Sequence, residues 1–161
     1  MTFHVGETVV HWSHGLGEVV GVNERGLTGE DKKYYVVKAH GLSVWVPNDE
    51  KLDQRLRAPT PAARFGKLFA ILKGPAVELP EDRRERQLLL RKHFEDGKAE
   101  ALCRVIRDLT TYEQKRPLNE VDKMTLRRAE AALREEWSHV LSVPPAEVQV
   151  ELHRLLKGQP S

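Results

Sequence analysis

Two periodicities divide the chain. Up to residue 47, apolar and polar positions alternate in short runs bounded by glycine, the period of half-buried strands. Residues 8–12 (TVVHW) read as a first strand after Gly6, followed by a turn at Ser13, His14 and Gly15. Residues 17–22 read as a second strand, whose glycines mark a bend or bulge. Residues 25–31, with Gly26 and Gly29, read as a hairpin connection. Residues 34–38 and 42–46 read as third and fourth strands, separated by His40 and Gly41 and closed by Pro47. Four or five short strands with tight turns predict a small barrel of the SH3 or Tudor kind.

From residue 62 the spacing becomes helical. Residues 62–73 carry Phe65, Leu68, Phe69, Ile71 and Leu72, and Gly74 with Pro75 breaks the run. Residues 98–115 place Leu102, Val105, Ile106, Leu109 and Tyr112 on one face. Pro117 ends that helix, and Asn119 is a suitable N-cap for the next, where Leu126, Ala129, Leu133, Trp137 and Val140 recur. Pro144 and Pro145 restart the chain into a last helix with Val148, Leu152 and Leu155. The stretch 48–60 is polar and runs into Ala58, Pro59, Thr60 and Pro61. The predicted class is therefore α+β in two domains: a barrel over 1–52, a linker over 53–61 and a compact five-helix domain over 62–161.

One helix stands apart, over residues 80–96. Pro80, Glu81 and Asp82 suit a helix start, and Gly97 suits its stop. Between them Arg83, Arg84, Arg86, Arg91 and Lys92 face the single acid Glu85, a net charge of +4 over residues 83–92. Leu88, Leu89, Leu90 and Phe94 are available to anchor it. Such a run is either a solvated face or a surface for an anionic partner.

Composition narrows the function classes. Apolar residues make up 40% and charged residues 31% of the 161, as in a soluble globular protein, and no apolar run approaches a membrane span. The N-terminus runs straight into strand-like sequence, without a signal pattern. Cys103 is the sole cysteine, so no internal disulfide forms, and a reducing cytoplasm is expected. Net charge is −2 over residues 1–52 and +4 over 53–161, so the second part is the better match for a polyanion and the first for a protein surface. His4, His11 and His14 lack partners at ligand spacing, so no metal is expected. Cys103 lies beside an apolar helix face without a nearby histidine and reads as structural. No glycine-rich phosphate loop and no acid–base pair is evident, so neither enzyme nor cofactor is expected.

The landmarks F-H-V-G-E-T-V-V (3–10), H-G (14–15), G-L-T-G-E (26–30), K-Y-Y-V-V-K (33–38) and V-W-V-P (44–47) occur in order. L-P (79–80), F-E-D-G (94–97), V-I-R-D-L (105–109) and L-R-R-A-E-A-A-L-R-E-E (126–136) follow them. Together they resemble the CarD/CdnL family of bacterial transcription regulators, over nearly the whole chain. The resemblance implies a Tudor-like domain that grips a lobe of the RNA polymerase β subunit, partly by strand-edge pairing. It also implies a helical domain that touches promoter DNA at the upstream edge of the melted region, largely without sequence specificity. The expected protein is a cytoplasmic monomer, associated with the nucleoid through polymerase. Arg25 and Leu27 fall at polymerase-contacting positions, and Trp45 where the family often has a second arginine. Counted without gaps from Leu79 and Pro80, Arg83 takes the place of a tryptophan that wedges into the minor groove. Arg86 matches a basic position that contacts the DNA backbone. The alternative reading is a polymerase-binding adaptor that never touches DNA.

Overall fold

The computed structural model describes residues 2–23 and 33–157, which fall into two units, Met1–Pro59 and Thr60–Ser161. In the first, β1 (Thr8–His11), β2 (Gly15–Asn23), β3 (Tyr34–Ala39), β4 (Leu42–Pro47) and β5 (Leu56–Arg57) form an antiparallel sheet in the order β4-β3-β2-β1-β5. The register shifts between Val19 and Gly21, a bulge where the sequence marks one. This lets the sheet curl around Phe3, Val9, Val19, Tyr35, Val37, Val46, Leu52 and Leu56. The curl brings β2 close to β3: a Cβ on Gly17 would lie 2.8 Å from Val37 Cγ1 and 2.9 Å from the Lys38 carbonyl oxygen.

The expected linker is much shorter in the structure. Residues 52–55 form a helical turn, α1 (Leu52–Arg55), and β5 pairs with β1 through His11↔Leu56 and Val10↔Arg57. Leu52 and Leu56 are the reason. Both are buried in the sheet's core, a gain of about 1.5–3 kcal/mol each, which holds a polar-looking segment against the barrel.

Among its described residues the second unit contains five α-helices, as expected, led in by a short 3₁₀ turn at Ala62–Arg64. They are α2 (Phe65–Lys73), α3 (Arg83–Asp96), α4 (Ala99–Lys115), α5 (Glu120–Leu141) and α6 (Pro145–Lys157). Helix α4 is the hub, packed by α2, α3 and α5, and its Val105, Ile106 and Leu109 are almost fully buried. The cap signals hold: the Asn119 side chain accepts from the Asp122 N–H at 2.8 Å, and Gly97 stops α3 at φ 71°. Helix α3 starts later than the sequence suggests. Asp82 is its N-cap, accepting from the Glu85 N–H at 3.0 Å, so Pro80 and Glu81 lie in the lead-in. At the unit's first residue, the Thr60 N–H donates to the carboxylate of Glu136, buried on α5, at 2.7 Å.

Candidate nucleic-acid and protein interfaces

Helix α3 divides its basic run between two faces. Arg83, Arg84, Arg91 and Lys92 are exposed, and among the described residues no carboxylate pairs with them. Positions 84, 88 and 91 share one stripe at spacings of four and three. Leu88, 55% exposed, therefore stands between two arginines rather than anchoring the helix, as the leucine run had suggested. The opposite stripe carries Arg86 and Leu90, both buried, and the partly buried Phe94. Arg128 of α5 lies over the Phe94 ring at 5.3 Å, adding a cation beside α3 that the sequence did not single out.

Arg86 is the correction to the expected DNA-contacting set. Its side chain is 6% exposed and its Nε donates to Asp122 Oδ2 of α5 at 2.9 Å, where the carboxylate is itself 1% exposed. Its Nη1 donates to the carbonyls of Pro80 at 3.2 Å and Glu81 at 3.1 Å, and to the Tyr112 hydroxyl at 3.4 Å. With its side chain almost wholly buried and its Nε and Nη1 engaged inside the unit, Arg86 is not presented to solvent as the other four cations are. Its spacing of four and eight from Leu90 and Phe94 was the sequence signal for burial.

In the first unit, β4 is an edge strand of the described sheet and presents Trp45, 38% exposed. The indole meets the Tyr34 ring edge-on at 5.8 Å, and Trp45 pairs across the ladder with Val36. An aromatic pair beside a strand edge of the described sheet is compatible with backbone pairing to another chain. Arg25 and Leu27 lie outside the described residues.

The cysteine and the histidines are placed as follows. Cys103 is fully buried, and burial pushes its thiol well above the ordinary range. Among the described residues no group of histidines, cysteines and acids is arranged to hold a metal. His11 is buried and titrates at about 4 instead of 6.5, chiefly because burial disfavours its charged form and secondarily because His14 is near. Its Nδ1 accepts from the N–H groups of Ser13 and His14, at 3.1 and 3.2 Å, and so acts as the turn's fastener. The unfolded chain takes up this proton at a higher pH than the folded one. Stability from this site is therefore complete above about pH 6.5 and falls as pH drops towards 4. Urea midpoints of the sheet signal, followed from neutral pH downwards, should fall over that window, and His11→Asn should flatten the profile.

A family model described as the CarD C-terminal domain matches residues 67–153, more than half of the chain. The chain belongs to the CarD family. A second model, the CarD-like/TRCF RID domain, matches residues 3–57, which includes the α1 turn and β5. The CarD protein is thus a transcription regulator whose first unit is of the RNA polymerase-interacting type, and both matched domains are regulatory rather than catalytic. A Bacillus subtilis (strain 168) protein named "Putative transcription factor YdeB" is 22% identical over 129 residues, covering 79% of this CarD chain and 84% of its own length. No helix among the described residues is long and apolar enough to cross a membrane.

Proposed function

We propose that this CarD protein docks on the RNA polymerase β subunit lobe through its first unit and lays α3 along promoter DNA at the upstream edge of the bubble. There it modulates open-complex stability, in the cytoplasm and on the nucleoid. The observation that carries the DNA contact is the outward stripe of α3: cations with no carboxylate partner among the described residues, and the exposed Leu88 between them. Arg83, Arg84, Arg91 and Lys92 contact phosphates, and Leu88 offers the stripe's apolar surface to a base step. Arg25 and Leu27 of the 25–31 connection, with Trp45 on β4, meet polymerase. A handful of phosphate contacts gives weak, salt-sensitive binding, and docking on polymerase supplies the effective concentration.

The test is the lifetime of open complexes formed with polymerase and a promoter, with and without the protein. Arg84→Glu with Arg91→Glu should abolish any effect while leaving polymerase capture intact. The same pair should lower the salt slope of free DNA binding by about two units, at roughly 0.9 per phosphate contact. Trp45→Ala should weaken capture by β subunit about 30-fold, the ~2 kcal/mol of a buried aromatic anchor. Arg83→Trp should strengthen open-complex stabilisation where residue 83 occupies the wedge position. The second reading, an adaptor that binds polymerase without touching DNA, is favoured by the arginine at that position. Unchanged lifetimes with retained capture would select it.

A further inference from the structure

Arg86 has a cost that a DNA contact would have explained and burial does not. A cation in the first turn opposes the partial positive charge of its own helix N-terminus, and enclosing it adds a desolvation penalty. Asp122 offsets both from a different helix. The Nη1 group goes to the carbonyls of Pro80 and Glu81 and to the Tyr112 hydroxyl, and the guanidinium faces the Tyr112 ring at 5.1 Å. Those two carbonyls precede the N-cap Asp82, outside the helical ladder, so no helical hydrogen bond would hold them. Glu81 is held a second time, its carboxylate accepting from Arg116 just after α4 at 2.8 Å. The lead-in to α3 is thus fastened at its backbone by a side chain of α3 that α5 itself holds, and at its side chain from the end of α4. Arg83 and Arg84 follow immediately.

We infer that Arg86 is a positioning residue for the phosphate-facing start of α3. It touches no nucleic acid. It locks residues 80–81, so that Arg83 and Arg84 leave the surface in a fixed direction and lose less freedom on binding. Arginine is required because its planar fork serves a carboxylate and the two carbonyls at once, whereas a lysine ammonium that pairs with Asp122 cannot span them. The inference rests on the DNA-facing reading of α3.

The test is a mutant cycle on the full chain, using fluorescence anisotropy with a forked DNA duplex over a range of salt. Arg86→Lys keeps Asp122 paired and gives up the lead-in. Arg86→Met combined with Asp122→Leu removes both charges together and leaves no unpaired buried ion. Each is measured alone and with Arg83→Ala and Arg84→Ala present, after circular dichroism shows a native helical signal. The expected loss of affinity is about ten-fold against the wild-type background and under about two-fold once both arginines are gone, the non-additivity of groups acting through one another. Equal losses in both backgrounds, with a salt slope lowered by about one, would mark a direct phosphate contact and overturn the inference. Full affinity in a folded Arg86→Lys protein would also overturn it. Failure of the wild-type protein to bind the duplex at low salt overturns the DNA-facing reading itself, and this inference with it. If the double substitution fails to fold, Arg86→Lys carries the comparison.

Discussion

Asp122→Ala is expected to destabilise the helical unit by about 3–5 kcal/mol, the cost of leaving a buried ion without its partner. The Arg86 and Asp122 side chains are 6% and 1% exposed, so water cannot replace the lost carboxylate. In a unit of this size each kcal/mol moves the melting midpoint by about 4–8 °C, so a fall of at least roughly 12 °C should appear in the helical circular dichroism signal. The Arg116–Glu81 pair, with side chains 56% and 71% exposed, provides the contrast. Arg116→Ala should stay within about 1 kcal/mol of wild type, since solvent already screens that pair. Similar melting points for the two variants would mean that the Arg86–Asp122 site opens to water in solution.

Gly17→Val should unfold the first unit and leave the helical unit standing. The first β-carbon alone would sit 2.8 Å from Val37 Cγ1, 2.9 Å from the Lys38 carbonyl oxygen and 3.2 Å from Ala39 Cβ. Val37 is fully buried, and the Lys38 backbone belongs to β3, which is hydrogen-bonded to β2 on one side and β4 on the other. Neither neighbour can retreat without opening the sheet. Overpacking of this kind costs about 1–3 kcal/mol and more where backbone must move. A domain near sixty residues has only a few kcal/mol in reserve, so the loss is expected to be complete. Gly21→Ala is the control: its Cβ would meet Val36 at 3.7 Å, ordinary contact, and should be tolerated. A Gly17→Val protein with a native sheet signal and intact polymerase capture would contradict the curled packing of β2 on β3.

The strands were legible because β-branched residues alternate between glycines, and the helices because their apolar spacing is regular. Asn119 and Gly97 announced their caps by residue type alone. The misread positions share a physical reason, which is that a short or mixed run does not declare its face. Leu52 and Leu56 looked like isolated apolar residues in a polar stretch. A four-residue helix and a two-residue strand are too brief for either period to emerge, although both side chains complete the first core. In α3, the consecutive basic residues suggest one surface and the consecutive leucines one anchor. Each step along a helix turns by about 100°, so Arg86 and Leu90 go inward while Arg84, Leu88 and Arg91 go out. Asp122 stands in the first turn of α5, but its partnership with Arg86 spans 36 residues and no local pattern encodes it.

The bond from Thr60 to Glu136 has a kinetic consequence. The first residues of a domain usually fray, and their amides exchange with solvent through openings confined to the terminus. The Thr60 amide ends on a carboxylate that is 1% exposed and belongs to the longest helix of the unit. Releasing it means disturbing the packing of α5. Its hydrogen exchange is therefore tied to opening of the helical core. The Thr60 amide is expected to exchange with the slowest set of the unit, although it stands at the unit's first residue.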